Sequence, residues 1–414
     1  MPELARRFGT PTYVYSHAAL TEQMAAFDAA FAKLDHLICY AVKANASMAL
    51  LSLVAKAGWG FDAVSVGELA KVAKAGGPLN KTILSGVGKR DDEIAAGLAA
   101  GVLYLTVESA DELEAISRLA KARHTVAAVS LRINPDVDAG THPHITTGRA
   151  YNKFGMTFEH AAALLPAILA DGYLRLVGLS CHIGSQILET TPFARMAKSM
   201  SEAARALLRR GAPLQYLSIG GGLGVRYVAE RAPSPTDLAR AVAGIVRQTG
   251  LTLVLEPGRA VVANAGMLLT RVVRRKSVAG REIVIVDAGM NDFVRPALYG
   301  AKHRIESVTS RPLRRRPVDY VGPVCESADT FLRTTSGPLL REGDLVAICG
   351  TGAYGTSMAS NYNGRLRAAE VLCDGSKMTL VRTRESLADL WQGEHSTQGV
   401  AFDTAVPAQL GEIG

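Results

Sequence analysis

The chain has 414 residues, enough for two or three domains with a core of ordinary enzyme size. Hydrophobic residues make up 48% and charged residues 20%, a balance that excludes a disordered or fibrous protein. No apolar stretch reaches the length of about 18 residues that a membrane span needs, and the opening MPELARRFGT lacks the apolar core of a signal peptide. We therefore expect a cytoplasmic globular protein with no membrane partner.

The charge and the cysteines argue against further classes of protein. The formal net charge is +8, and its densest runs are RVVRRK (271–276) and RPLRRRP (311–317). No aromatic residues are interleaved with these runs as single-strand nucleic-acid binding requires, so they indicate a solvated basic face and no nucleic-acid partner. The five cysteines form no CxxC pair, which fits a reducing compartment, and no metal site is expected.

The first two-thirds of the chain has the pattern of repeated βα units. Residues 9–16, GTPTYVYS, are strand-like and are expected to join a later β-rich region. From Leu37 onward, short apolar runs alternate with stretches of helical period, some with the serine caps of helices, as at Ser65 and Ser109. Eight strands are predicted, at residues 37–43, 60–64, 82–86, 103–109, 127–134, 175–184, 215–222 and 251–258. Eight such repeats are typical of a TIM (β/α)8 barrel, and an open doubly wound sheet is the competing arrangement.

After Gly258 the pattern changes to β-rich runs separated by Gly, Asp and Pro turns. We predict an α/β protein in which residues 30–263 form the barrel. Residues 1–29 and 264–393 are expected to form a mostly antiparallel β-domain. Residues 394–414 show no period and are expected to be a loose tail.

The carboxyl ends of the barrel strands are where TIM barrels carry their active sites. At these ends the predicted strands have Lys43, Asp62 and Ser65, His182 with Gly184 and Ser185, Gly220 to Gly224, and Glu256 to Arg259. The run GGGLG, residues 220–224, can turn backbone N–H groups toward a phosphate, although a glycine-rich turn is more often only a turn. Lys43 either reaches into water or is an amine whose pKa is lowered by desolvation, ready to bond to an aldehyde. A reactive lysine beside a phosphate site suggests pyridoxal phosphate. Glu256 can keep the pyridine nitrogen protonated, or can pair with Arg259 in a rim salt bridge; His182 can stack on the cofactor or lie in the core.

An ordered set of motifs covers all but the ends of the chain. In chain order the motifs are GTPTYVYS, YAVKAN, GFDAVSVGEL, LRINPDVDAGTHPHITTG, NKFGM, CHIGSQI, SIGGGLG, EPGRAVVANAG, RPALYGAKH, GPVCESAD and GAYGTSMASNYN. The set resembles the alanine-racemase-like, fold-type III decarboxylases that depend on pyridoxal phosphate, and within that family the enzymes that act on diaminopimelate.

The resemblance implies a carboxy-lyase that removes carbon dioxide from the D-centre of meso-2,6-diaminopimelate and yields L-lysine, the last step of lysine biosynthesis. It implies that Lys43 carries the cofactor covalently, that His182 stacks on it and that Glu256 pairs with its ring nitrogen. The implied cofactor-binding residues are Lys43, Asp62, His182, Ser185, Gly220, Gly221, Gly222, Glu256, Gly258, Arg259 and Tyr354. The implied substrate contacts are Arg259, Arg295, Tyr299, Glu326 and Tyr354.

The resemblance also implies that Cys325 is catalytic and returns a proton to the product. The family places Cys325 and Glu326 in the neighbouring subunit's site, so a homodimer with shared active sites is expected. Without the resemblance, Arg295 would be interpreted as a surface arginine, and Cys325 can be a buried thiol. The long polar segment 134–155 is the candidate for a lid.

Other functions remain open at this point. A related decarboxylase of the same family would act on ornithine, arginine, carboxynorspermidine or a carrier-linked glutamyl group. The CES motif argues against the ornithine enzymes, which have an aspartate after that cysteine, and RPALYG supplies the arginine that a diacid requires. A non-catalytic regulator that binds pyridoxal phosphate is the rival from another class, and the presence of both Lys43 and Cys325 argues against it. Alanine racemase would have an arginine in place of Glu256.

Overall fold

A closed barrel of eight parallel strands forms the larger part of the protein. The computed structural model describes residues 1–138, 153–308 and 311–395. The chain begins with α1 (Pro2–Phe8), β1 (Thr12–Ser16) and α2 (His17–Phe31), and the barrel strands follow as β2 (His36–Ala41), β3 (Gly60–Ala63), β4 (Thr82–Leu84), β5 (Tyr104–Val107), β6 (Ala127–Arg132), β7 (Leu174–Ser180), β8 (Tyr216–Ser218) and β9 (Thr252–Leu255). Strand β9 pairs with β2, so the sheet closes on itself. The predicted TIM barrel is therefore confirmed and the open doubly wound sheet is excluded.

Each of the first seven barrel strands is followed by a helix of eight residues or more. These helices are α3 (Met48–Lys56), α4 (Val66–Lys74), α5 (Asp91–Ala99), α6 (Ala110–Ala122), α7 (Phe158–Ala170), α8 (Thr191–Arg209) and α9 (Pro235–Arg247). The predicted serine caps are present: the Ser65 and Ser109 hydroxyls accept the backbone N–H of Glu68 and Glu112, each at 3.2 Å. Such a cap stabilises a helix by about 1 kcal/mol.

The predicted strands extend too far at their carboxyl ends. Strand β2 ends at Ala41, and Lys43 lies in a 3-10 turn, Val42–Ala44, rather than at the end of a strand. Strand β8 ends at Ser218, because Gly220 (φ +67°) and Gly222 (φ +102°) adopt left-handed conformations that a strand cannot contain. The residues that were predicted as strand but are not, such as Lys43, Gly220 and Gly222, lie at the carboxyl-end mouth of the barrel.

A second sheet of nine strands packs beside the barrel. After the short helix α10 (Arg259–Val262), its elements are β10 (Gly266–Val278), β11 (Arg281–Val286), α11 (Arg295–Tyr299), β12 (Ile305–Ser307), β13 (Arg315–Val321), β14 (Thr330–Pro338), β15 (Leu345–Cys349), β16 (Ala369–Asp374) and β17 (Lys377–Arg382). Strand β1 pairs antiparallel with β10 and parallel with β16. The segment GTPTYVYS therefore joins this sheet as predicted. Among the described strand pairs of this second sheet, only β1–β16 and β11–β13 are parallel.

Hydrogen bonds attach a loop of the second sheet to the barrel mouth. The backbone N–H of Tyr354 donates to the carbonyl of Ala44 at 2.8 Å, and the Asn45 amide donates to the Gly352 carbonyl at 2.8 Å. The two barrel residues lie one and two positions after Lys43 in the chain, so this loop lies against the lysine turn. Asn45 is 1% exposed, and a buried polar group held in this way stabilises the contact.

Two predictions fall mostly outside the described residues. The lid candidate, residues 134–155, is described only at its two ends, and the tail, residues 394–414, only at its first two positions. Across the three described ranges, none of the helices is both long and apolar enough to cross a membrane.

Candidate active site

A cavity of about 390 Å³ opens at the carboxyl end of the barrel. Five of the residues predicted from the strand ends line it together: Lys43, Asp62, His182, Ser185 and Glu256. They come from the carboxyl ends of four different strands: Asp62 lies within β3, and the others follow β2, β7 and β9. The barrel geometry thus brings to one place residues that are up to 213 positions apart in the chain.

Lys43 and Asp62 form an ion pair at the base of this cavity. The Asp62 side chain is 1% exposed, whereas 39% of the Lys43 side chain remains accessible. Burial opposes the charge of the amine, but the Asp62 carboxylate outweighs it and raises the pKa of Lys43 above its ordinary value. The prediction that desolvation lowers the pKa of Lys43 is therefore wrong for the protein without cofactor, because a carboxylate lies in contact with the amine.

Glu256 is held by a serine rather than by an arginine. The Ser218 hydroxyl donates to Glu256 Oε1 at 2.5 Å. Burial, followed by the nearby Asp62 carboxylate, raises the pKa of Glu256 to about 7. The alternative of a rim salt bridge does not hold, because the guanidinium of Arg259 bonds to Ser185 and Tyr227 instead.

His182 lies on the wall of the cavity with a fixed ring orientation. Its Nδ1 accepts the backbone N–H of Gly221 at 3.3 Å, which makes Nε2 the protonated nitrogen of a neutral ring. Burial, with the charges of Arg132 and Lys43, lowers the pKa of His182 to about 3. The ring is therefore uncharged at neutral pH, as a side chain that stacks on a flat aromatic group should be.

The glycines after β8 are required by close approach of the backbone. A Cβ on Gly221 would collide with the carbonyl of Glu256, and one on Gly222 would collide with the carbonyl of Gly184. Gly258, after β9, lies against Ala44, with only 2.9 Å from a built Cβ to that methyl group. These glycines let the backbone after β8 and β9 pack directly against neighbouring segments, although none of them lines this cavity or the cavity that adjoins it. Their role around a phosphate group remains a prediction.

A second cavity of about 290 Å³ adjoins the first, and Ser185 lines both. Arg259 and Arg295 line this second cavity and are only 6% and 5% exposed. The Arg259 guanidinium donates to Ser185 Oγ at 2.8 Å and to the phenol oxygen of Tyr227 at 2.6 Å. Among the described residues neither arginine forms an ion pair with a carboxylate, so their charges remain for a ligand. The interpretation of Arg295 as a surface arginine is wrong.

The predicted tyrosines also face this second cavity. Tyr299 and Tyr354 both line it, and the Arg259 guanidinium lies 4.8 Å from the centre of the Tyr354 ring. This distance is that of a cation–π contact, which helps to hold the guanidinium in place. Four of the five predicted substrate contacts, including both arginines, are therefore gathered in one cavity.

Cys325 and Glu326 are not brought to either cavity of their own chain. Cys325 is exposed, so the alternative of a buried thiol is wrong. Its backbone N–H donates to the Asn363 side chain at 2.8 Å. Their assignment to a shared site of a dimer remains a prediction.

Four residues of the site were missed from the sequence. Arg132 lines the first cavity, 2.6 Å from Glu108, and ends β6, so testing that strand end would have found it. Ser218 ends β8, two positions before the glycine run GGGLG, and the same rule applies to it. Tyr227 lies nine positions after the end of β8, outside the quoted motifs, and no sequence signal marks it. His303 is the last residue of the motif RPALYGAKH, but it was not singled out.

The residues of the first cavity fit pyridoxal phosphate. Lys43 would supply an amine for the aldehyde, and Glu256 would supply a carboxyl group for the ring nitrogen. The glycine-rich turn after β8 would lie near the phosphate. Asp62 Oδ1 is buried and has no hydrogen-bond partner in the described structure, as expected of an atom that completes its contacts with a ligand. The side chains that line the cavity and the unpaired buried oxygen of Asp62 are thus both compatible with bound pyridoxal phosphate.

A (β/α)8 barrel with a lysine amine, a glycine-rich turn and a buried carboxyl group at its mouth defines a barrel enzyme that uses pyridoxal phosphate. Comparison with known proteins gives the family: residues 17–263 match the family described as "Pyridoxal-dependent decarboxylase, pyridoxal binding domain". The match covers more than half of the chain, and the chain belongs to this family.

Relatives and solved structures agree with the family assignment. The chain is 46% identical to diaminopimelate decarboxylase of Pseudomonas aeruginosa, over 95% of each chain. It is 47% identical to the enzyme of that name from Neisseria meningitidis serogroup B, over 93% of each chain. The crystal structure of diaminopimelate decarboxylase from Helicobacter pylori complexed with L-lysine superposes with a TM-score of 0.92, at 40% identity, over 95% of this chain and 98% of that one.

Proposed function

We propose that this protein decarboxylates meso-diaminopimelate at its D-centre, with pyridoxal phosphate, and releases L-lysine and carbon dioxide. The observation that carries the proposal is the second cavity. Two buried arginines without a carboxylate partner among the described residues adjoin the lysine cavity and share Ser185 with it. The substrate must keep one carboxylate while it loses another, and this pair of cavities provides a place for each. The names of the relatives support the same substrate.

In the first cavity, residues of this chain bind the cofactor and set the protonation of the lysine amine and of the ring nitrogen. When bound, pyridoxal phosphate supplies an electron-accepting ring that stabilises the carbanion left by carbon dioxide. Lys43 must lose a proton before it bonds to the aldehyde, and the Asp62 carboxylate in contact with it holds the amine in position inside the cavity. Glu256, held by Ser218, keeps a proton at the ring nitrogen through a hydrogen bond.

In the second cavity, Arg259 and Arg295 bind the carboxylate that is retained. A guanidinium presents parallel N–H donors that match the two oxygens of a carboxylate. Holding this end of the substrate turns its other end toward Lys43. We further propose that Tyr299 and Tyr354 complete the wall of this cavity around the substrate chain.

Cys325 and Glu326 act from the partner subunit in this proposal. Cys325 is exposed and lies outside both cavities of its own chain, which suits a residue that completes a neighbour's site. Glu326 then provides a charge for the distal ammonium group, and Cys325 returns the proton. Residues 1–29 and 264–393 form the domain that carries these contacts, and the enzyme is a cytoplasmic homodimer whose five cysteines stay reduced.

The substrate is tested by an assay of the purified protein with pyridoxal phosphate. Meso-diaminopimelate, ornithine and arginine are compared at equal concentrations, and carbon dioxide and the amine product are both measured. Ornithine and arginine lack the second carboxylate and leave the two guanidiniums unpaired, so we expect at least a hundredfold lower kcat/KM for them. Faster turnover of either monocarboxylate would contradict the proposal, and no turnover of any substrate would favour a non-catalytic regulator.

A further inference from the structure

Two guanidinium groups converge on one phenol oxygen in the second cavity. Arg259 Nη1 donates to Tyr227 Oη at 2.6 Å, and Arg295 Nη1 donates to the same oxygen at 2.7 Å. The Arg295 guanidinium also lies 4.8 Å from the centre of the Tyr227 ring. The positive charges of the two guanidinium groups repel each other. The phenol oxygen that accepts from both of them offsets this repulsion and holds them side by side.

The hydrogen bonds of Tyr227 leave its hydroxyl proton available. A phenol oxygen has two acceptor sites and one donor hydrogen. The two arginines occupy both acceptor sites, and the described structure gives the hydroxyl hydrogen no acceptor. Since Tyr227 lines the cavity, this hydrogen can be donated to a ligand that lies between the arginines.

The Tyr227 ring is fixed by its surroundings rather than by the ligand. It is 7% exposed, and its centre lies 4.5 Å from that of the His303 ring. A Cβ built on Gly350 would come within 2.9 Å of the tyrosine ring, so the backbone there packs directly against it. The backbone N–H of Tyr227 donates to Glu230 Oε2 at 3.0 Å. The phenol oxygen is thus positioned before any ligand arrives.

His303 is a second neutral acceptor for the same pair. Its Nδ1 lies 3.0 Å from the Cys349 carbonyl, which only accepts, so Nδ1 carries the proton and Nε2 accepts from Arg295 at 3.4 Å. Burial and the Arg295 charge lower the pKa of His303 to about 3, so the ring is uncharged. Neutral acceptors orient the arginines without cancelling their charge. Glu230, the carboxylate that lines this cavity, receives the backbone N–H groups of Tyr227 and Val228.

We propose that Tyr227 is a positioning residue that makes this cavity specific for a carboxylate. Its oxygen holds the two guanidiniums together, and its hydroxyl adds a third donor aimed at the carboxylate oxygens. The inference rests on the proposed function, because it takes the retained carboxylate of the diamino diacid as the ligand. It assigns the selection of that carboxylate to a residue outside the motifs of the sequence.

The test replaces the hydroxyl and keeps the ring: Tyr227→Phe. L-lysine keeps the carboxylate, and cadaverine is the same molecule without it, so their binding to the holoenzyme by calorimetry separates carboxylate recognition from the rest. We expect Tyr227→Phe to bind L-lysine about tenfold or more weakly and cadaverine unchanged. KM for meso-diaminopimelate should rise by a similar factor, with kcat nearly unchanged. The matched control is Tyr320→Phe, a buried phenol in β13 that bonds to the Pro338 carbonyl at 2.9 Å, which should alter neither.

The outcomes separate the two proposals. An active wild-type enzyme whose affinity for L-lysine is unchanged by Tyr227→Phe overturns this inference alone. Equal weakening of L-lysine and cadaverine also overturns it, because the hydroxyl would then not distinguish the carboxylate. A wild-type protein that does not decarboxylate meso-diaminopimelate overturns the proposed function, and this inference with it.

Discussion

Glu256 links the protonation of the barrel mouth to the stability of the cofactor-free protein. Burial, followed by the nearby Asp62 carboxylate, raises the pKa of Glu256 from its ordinary value of 4.5 to about 7. Between these two values the folded protein holds a proton that the unfolded chain releases, so the free energy of unfolding falls as pH rises. A pKa difference of this size corresponds to about 3 kcal/mol. Replacing Glu256 with glutamine should abolish this loss.

The assay is urea unfolding of cofactor-free wild type and Glu256→Gln at several pH values from 4.5 to 7.5. His182 acts in the opposite direction, because its pKa of about 3 means that stability is gained as pH rises toward 6.5. The contribution of Glu256 is therefore isolated by subtracting the free energy of unfolding of the variant from that of the wild type. This difference should change by up to about 3 kcal/mol between pH 4.5 and 7.5. Glu114→Gln, an exposed site on α6, is the matched control. If the difference in free energy of unfolding between wild type and Glu256→Gln stays constant with pH, the reasoning is refuted.

The remaining predictions concern the glycine-rich turn, the dimer and the arginines. Gly222→Ala should weaken cofactor binding and destabilise the protein by about 2 kcal/mol or more, measured by cofactor titration and unfolding, because φ is +102° there. The control Gly244→Ala, in α9 with open space around it, should be neutral or stabilising. Inactive Lys43→Ala and Cys325→Ala chains should regain about a quarter of wild-type activity when mixed, since half of the dimers then hold one intact shared site. If subunits exchange and no activity returns, shared sites are wrong. Arg295→Lys should raise KM for meso-diaminopimelate about tenfold in steady-state kinetics, because one fork of donors is lost, and an unchanged KM would contradict the carboxylate assignment.

The barrel was predictable because its signal is local and repeated. Period and turn residues indicated eight strands, and all eight are present. The rule that barrel strands carry active sites at their carboxyl ends then selected Lys43, Asp62, His182 and Glu256, which share one cavity. The strand ends were placed too late, because the residues that bend away to form the cavity still have apolar neighbours.

What the sequence did not reveal depends on contacts between distant segments. Tyr227 lies on the loop after β8, and His303 lies on the segment after α11. Only the fold brings them into contact with Arg259 and Arg295. The wrong expectation for Lys43 has the same origin, since strand pairing places the Asp62 carboxylate against its amine. The resemblance located Arg295 and Tyr299, which no period or spacing indicates.

The central claim is that the strand ends converge on a cofactor site anchored at Lys43, and covalent trapping tests it most directly. Borohydride reduction of the holoenzyme fixes the cofactor to its lysine, and the digested protein is mapped by mass spectrometry. The account predicts the phosphopyridoxyl group on Lys43, and no such adduct in Lys43→Ala. A modified lysine elsewhere in the wild type, such as the buried Lys89 that pairs with Glu112, would contradict it.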